Sequence, residues 1–232
     1  MAAFEFSDDI ASVDITKFLA ASEDTPIVVW TIQSEGAVQE LERTGKLTGD
    51  PAYAFANNTP GKRLAYDWLR QMMAKRLTGY SDEWPIWTLV SRPTSSIETL
   101  GGILLRAEIP KSKMLVSFYK GWLKILGVME HLPENKNCWP EQWLFHRDDP
   151  LLYAVSEENA DSYPGLPVPI SYSFNETQCR RSWEQIFDLA LFDREGFAWR
   201  ASPPCLTLQA LVPTINLSQV TAKLSAPNTD CA

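Results

Sequence analysis

The chain has 232 residues, 45% of them hydrophobic and 22% charged, with 16 prolines against 11 glycines; that composition excludes a collagen, a coiled coil and wholesale disorder, and a chain of this length can bury a full core without disulfides or metal. The formal net charge of −8 argues against a general nucleic-acid binder, because neutralising phosphates takes a positive face. No apolar run approaches the ~18 residues of a membrane span, and the start, MAAFEFSDDI, lacks the basic and greasy parts of a signal peptide, so the expected address is cytoplasmic, with no membrane partner.

Residues 1–25 form an acidic N-terminal segment with one apolar-periodic piece, Ile10 to Leu19, read as a short helix before a loop closing at Pro26. Ile27 to Thr31 is a β-branched and aromatic run, which predicts a strand buried on both faces. Ser34 is placed to cap a helix that Gly45 ends. Lys46 to Asn58 is rich in turn residues and reads as a loop. Pro60 opens the clearest helix: Leu64, Trp68, Leu69, Met72, Met73 and Leu77 make one apolar stripe, Lys62, Arg63, Arg70, Lys75 and Arg76 take other faces, and Gly79 stops it.

Trp84 to Val90 predicts a strand, with Pro85 pointing to its first residues or to an edge. Leu100 to Ile109 predicts another, broken by Pro110, and Met114 to Met129 a short strand running into a helix that carries Trp122, Ile125 and Leu126. Residues 131–170 combine several aromatic residues with Pro133, Pro140, Pro150, Pro164, Pro167 and Pro169, which predicts an insertion dominated by loop with a short helix near Glu141 to Phe145. Arg180 to Leu191 returns to helical spacing. Thr207 to Val212 reads as the final strand, Leu217 to Val220 as a short terminal element, and residues 223–232 as a disordered tail. The expected fold is α+β, a small mixed or antiparallel sheet with several packed helices, in a single domain over residues 26–222.

The familiar catalytic signatures are missing: no Gly-x-Gly-x-x-Gly, no Walker loop, no Gly-x-Ser-x-Gly elbow and no His-Glu-x-x-His. Cys138, Cys179, Cys205 and Cys231 stand far apart and the chain has only two histidines, His131 and His146, so no zinc-ligand spacing exists and no metal is expected. Asp148-Asp149 before a proline reads as a solvated turn. Charge is unevenly spread: residues 1–59 carry 3 basic and 10 acidic side chains, residues 60–129 carry 11 and 5, and residues 130–232 carry 7 and 14. The basic middle third suits either solvated helix faces or a patch for a phosphate-bearing ligand or an acidic partner. Nine tryptophans are many for this length, and core packing accounts for most. Where aromatic residues adjoin polar ones, at Trp30-Thr31-Ile32-Gln33 and at Tyr66-Asp67-Trp68 on the basic helix, they suit a pocket for a planar, phosphorylated ligand.

At these residues the chain resembles a bacterial family catalogued as domain of unknown function 3841. The landmarks are Trp30-Thr31-Ile32-Gln33, Gly45-Lys46-Leu47, Ala65-Tyr66-Asp67-Trp68 with its basic continuation to Arg76, Trp84-Pro85-Ile86-Trp87, the strand Leu104 to Ile109, Ser182-Trp183-Glu184-Gln185-Ile186-Phe187-Asp188, and Leu208-Gln209-Ala210. Ser117-Phe118-Tyr119-Lys120-Gly121-Trp122 departs from the more acidic run of that family. The layout is also similar, at the level of fold, to ADP-ribosyltransferase-like proteins. That similarity implies NAD as cofactor or substrate, with Trp30, Thr31 and Gln33 bordering a cleft, Arg63 or Arg76 meeting the pyrophosphate and Gln209 in the late-strand position. It also replaces the usual first-strand His or Arg by Trp30, and Gln209 is no general base.

Two readings of function follow. One is an NAD or nucleotide-like ligand held by Trp30, Thr31, Gln33, Arg63, Tyr66, Asp67, Trp87 and Gln209. The alternative is a non-enzymatic module that docks a protein partner on the basic middle third and residues 131–170. RNA stacked on tryptophans is disfavoured by the acidic flanks.

Overall fold

The computed structural model describes residues 2–5, 12–52, 60–92, 102–130, 176–190 and 208–225. The expected insertion at 131–170, its short helix and the end of the tail lie outside these residues. The β-branched run after Pro26 forms β1 (Pro26–Gln33), buried from Ile27 to Thr31, as expected of a strand with neighbours on both edges and apolar cover on both faces. Around it lie β3 (Ile86–Leu89), β4 (Ile103–Pro110), β5 (Leu115–Phe118), β6 (Leu208–Val212) and β8 (Val220–Ser225), in the order β5-β6-β3-β1-β4-β8. Every ladder in this six-stranded sheet is antiparallel. A second, two-stranded sheet joins β2 (Lys46–Thr48) to β7 (Thr214–Asn216).

The helices are α1 (Ser12–Ala20), α2 (Glu35–Thr44), α3 (Pro60–Arg76), α4 (Tyr119–Glu130) and α5 (Glu176–Trp183). With the sheet they make the α+β class that the sequence predicts. Capping chemistry sets the bounds of α2. Ser34 accepts a hydrogen bond from the Ala37 N–H, and Gly45, at φ 77°, takes the left-handed turn that returns its own N–H to Leu41. On α3 most of the predicted stripe is buried: Trp68, Leu69, Met72 and Met73, with Leu77 just past the helix end, lie in the core, Leu64 is only half-buried against it, and the unpredicted Ala65 is buried too. No helix among the described residues is long and apolar enough to cross a membrane.

The structure departs from the sequence reading at its short or polar strands. The Lys46 to Asn58 loop contains β2, and the C-terminal region contains β7 and β8 as well as the predicted β6. β8 runs on to Ser225, paired with Ile103, three residues past the expected end of the folded part. β3 is interior despite Pro85, because the proline precedes its first paired residue and removes no ladder donor. The helix expected from Arg180 starts earlier, at Glu176, and gives way after Trp183 to a 3-10 turn, Glu184–Phe187. The acidic N-terminal segment is tied to the rest, since Ile15 and Phe18 of α1 are buried in the main core.

That core holds side chains from α1 to α5 and from most strands. A smaller cluster, Val28, Trp30 and Leu104, stands apart from it. The turn after α5 is anchored to α3 electrostatically: the Glu184 carboxylate accepts from Lys75 at 3.1 Å and Arg76 at 3.0 Å, and the Arg76 guanidinium lies over the Phe187 ring at 4.8 Å. Burial alone would push the Glu184 carboxyl up, but the hydrogen bonds from the two cations outweigh it and hold the group below its ordinary value. A carboxyl depressed in the folded state stabilises above its unfolded pKa, and that contribution is lost as pH falls through the folded value. The melting temperature of Glu184→Gln should therefore lie below that of the wild type at pH 7, and thermal scans of both proteins should converge in acid.

Candidate functional site

Sheet register decides which predicted residues share a side. In an antiparallel ladder, directly paired residues point to the same face. The pairs Ser117 with Gln209, Gln209 with Leu89, Leu89 with Trp30, Trp30 with Arg106 and Arg106 with Ala222 define one row across all six strands. Trp30 and Gln209, distant in sequence, thus lie on one side, two strands or about 10 Å apart. Alternation along β3 carries Trp87 to that side too, two residues from Leu89.

The same period of two divides the first-strand set. Thr31 and Gln33 point away from Trp30, where the Thr31 hydroxyl donates to the Trp87 carbonyl at 2.8 Å and accepts from the Gln33 amide at 2.7 Å. Trp30 belongs to the small cluster with Val28 and Leu104, whereas Tyr66 and Trp87 pack against the main core. Gln209 is 1% exposed and its amide donates to the Ser117 hydroxyl at 3.0 Å. This buried polar pair satisfies itself inside the sheet and presents nothing to a ligand.

Four aromatic side chains do converge. Tyr66 of α3 lies 6.1 Å from Trp84, 6.1 Å from Trp87 and 5.4 Å from Trp122 between ring centroids, and Trp87 and Trp122 stack at 5.1 Å and 27°. The helix makes this possible through local spacing. Tyr66 and Asp67 stand one turn from both Arg63 and Arg70, so two cations and one acid flank the aromatic group. The Arg70 guanidinium covers the Trp84 ring at 4.6 Å, pairs with Asp82 at 2.6 Å and reaches Asp67 at 3.7 Å. Asp82 itself sits in the left-handed region, φ 73°, which aspartate tolerates better than most residues. Burial pushes the Tyr66 hydroxyl above its ordinary value, against a hydrogen bond from the Trp87 side chain.

A comparison within α3 shows what is unusual here. On another flank of the same helix, Trp68 packs on Trp183 and Phe187 at 5.4 and 5.9 Å, and all three side chains are sealed in the core. The Tyr66 group is left half-buried, with Tyr66, Trp84 and Trp87 all partly exposed beside Asp67 and Arg70 and next to exposed Arg63. Of the eight predicted site residues, the fold thus gathers Arg63, Tyr66, Asp67 and Trp87, and it sets Trp30, the Thr31 and Gln33 pair, and Gln209 in three other environments. Sequence reasoning missed Trp84, Trp122 and Arg70 as members. Their signal was a charged residue one turn from Tyr66 and two tryptophans in elements flanking α3, but only tertiary contact joins them.

Among the described residues no cluster of His, Cys, Asp and Glu could hold a metal ion. The NAD layout implied by the fold-level similarity does not fit these residues either. It needs Trp30, Thr31 and Gln33 on one cleft wall and an accessible late-strand residue, and Gln209 is closed off. No transfer step follows from them.

This architecture is an antiparallel sheet flanked by helices, with one open-sided aromatic group on its basic helix. Residues 28–203 match the family described as a domain of unknown function (DUF3841), and the chain belongs to it. No curated protein and no solved structure matches the chain.

Proposed function

We propose that the protein binds a nucleotide-like ligand, a planar ring carrying phosphate, at the exposed edge of the Tyr66, Trp84, Trp87 and Trp122 group. The observation behind this reading is the contrast on α3: one aromatic group is sealed, and the other keeps partly exposed rings beside arginines. A base can stack on the face of a partly exposed aromatic ring, and such stacking tolerates any base. A guanidinium fork meets phosphate oxygens in pairs, which suits Arg63 for the charged end, with Asp67 placed to accept from a sugar or base.

The test is a titration of ADP, ATP and NAD into the purified chain, followed by tryptophan fluorescence and melting temperature. A nucleotide present at 100 times its Kd should stabilise the fold by about 2.7 kcal/mol. Arg63→Ala is expected to weaken binding about tenfold, the loss of a charge-assisted contact of roughly 1.4 kcal/mol. A flat response to all three nucleotides at millimolar concentration would remove this reading and leave the docking of a protein partner on the basic helix as its successor.

A further inference from the structure

Residues 2–5 lie against β1 on its β3 side, at the stretch of β1 before Trp30, where β3 pairs. The Phe4 N–H donates to the Pro26 carbonyl at 2.7 Å and the Val28 N–H to the Phe4 carbonyl at 2.8 Å, a parallel bridge in an otherwise antiparallel setting. This places Ala3 against the Trp30 cluster. It also brings the Glu5 carboxylate to 3.3 Å from Arg106.

Arg106 is an arginine in the middle of a strand, where a charge is costly unless partnered. Its guanidinium also donates to Glu108 at 2.9 Å and to the Thr221 hydroxyl at 2.6 Å, and it stands 6.0 Å from the centroid of the Trp30 ring. A second guanidinium, that of Arg92, lies 5.7 Å from the same ring. Arg92 is exposed, and among the described residues no carboxylate pairs with it. Two guanidiniums therefore converge on one indole. One of them, Arg106, is held by Glu108 of its own strand and, through a different nitrogen, by Glu5 of a short arm with two backbone hydrogen bonds to β1.

We propose that Arg92, Arg106 and Trp30 form a binding position for a small diphosphate-bearing molecule, and that Glu5 occupies it in the free protein. The incoming anion takes the Arg106 donor that Glu5 holds and gains Arg92, which the single carboxylate does not engage. Paired guanidinium forks suit phosphate oxygens on adjacent groups. Glu5 is about half exposed, and an ion pair in that setting is weak enough to exchange. The position shares no residue with the Tyr66 group.

The test is calorimetric titration of inorganic pyrophosphate into the full chain at low ionic strength, with Arg92→Gln, Glu5→Gln and Arg63→Ala beside the wild type. Arg92→Gln should weaken pyrophosphate at least about fivefold with no change in melting temperature, the loss of one charge-assisted contact at an exposed side chain. Glu5→Gln should tighten it about threefold, because the competing acid is gone. Arg63→Ala should leave it unchanged. No pyrophosphate binding, or binding indifferent to Arg92→Gln, overturns the site. An unchanged affinity in Glu5→Gln overturns the occupant. Weakening by Arg63→Ala alone assigns the anion to α3 and also overturns the proposal.

Discussion

Trp68→Ala should cost about 3–5 kcal/mol of folding free energy, the range for deleting a buried aromatic side chain and leaving its cavity. Trp68 is 2% exposed and touches Trp183 edge-on and Phe187 face to face, so its removal takes away both the burial and the contact that fixes residues 183–187 on α3. Against a typical domain stability of about 5–15 kcal/mol, a loss of this size shows as a large fall in the urea midpoint. The α5 end should loosen first, because its other described ties to α3 include only surface contacts of charged side chains, the Glu184 ion pairs and the Arg76 guanidinium on Phe187. Equilibrium urea unfolding measures the cost. A loss below about 1 kcal/mol would mean that the site collapses without a cavity, and that Trp68 is not the keystone of this packing.

Gly49→Ala is the second large effect. Gly49 follows β2 and donates its N–H to the Trp84 carbonyl at 3.1 Å. A Cβ built there would lie 2.6 Å from the carbonyl oxygens of both Trp84 and Pro85. These are backbone atoms and cannot swing aside as a flexible side chain would, so the added methyl must push two segments apart. Such overpacking costs about 1–3 kcal/mol. The displaced residue Trp84 carries one of the three rings around Tyr66. Gly49→Ala should therefore lower the melting temperature and also alter near-ultraviolet circular dichroism, with the far-ultraviolet spectrum retained. An unchanged near-ultraviolet signal would separate Gly49 from the geometry of the aromatic group.

Much of the fold was legible because its elements carry local signals strong enough to stand alone. The stripe from Leu64 to Leu77 has helical spacing, Ser34 and Gly45 have capping chemistry, and Ile27 to Thr31 is β-branched without interruption. The strands that escaped have no such signal. Lys46–Thr48 and Thr214–Asn216 are three residues each, and Val220–Ser225 alternates weakly at a sheet edge, so each exists because a distant partner pairs with it. The site was legible only in part for the same reason. Composition along α3 pointed to Tyr66, Asp67 and Arg63, but strand alternation sends neighbouring residues to opposite faces. A cleft drawn from Trp30, Thr31 and Gln33 together ignores that period. Arg106 offered a readable clue, a cation two residues from Glu108 inside the otherwise apolar run Leu104 to Ile109, whose meaning required sight of Glu5 and Arg92.

The strand order has a consequence for how the molecule is made. β6 is inserted between β5 and β3, and it pairs residues 208–212 with partners ninety or more positions earlier, Thr88 reaching the carbonyl of Ala210 across a separation of 122. A nascent chain that has emerged only as far as residue 203, where the family match stops, therefore carries β5 and β3 with a vacant slot between them. Residues 208–212 are what fill that slot, so the sheet cannot be completed before they have emerged, and a chaperone has a reason to hold the polypeptide until then.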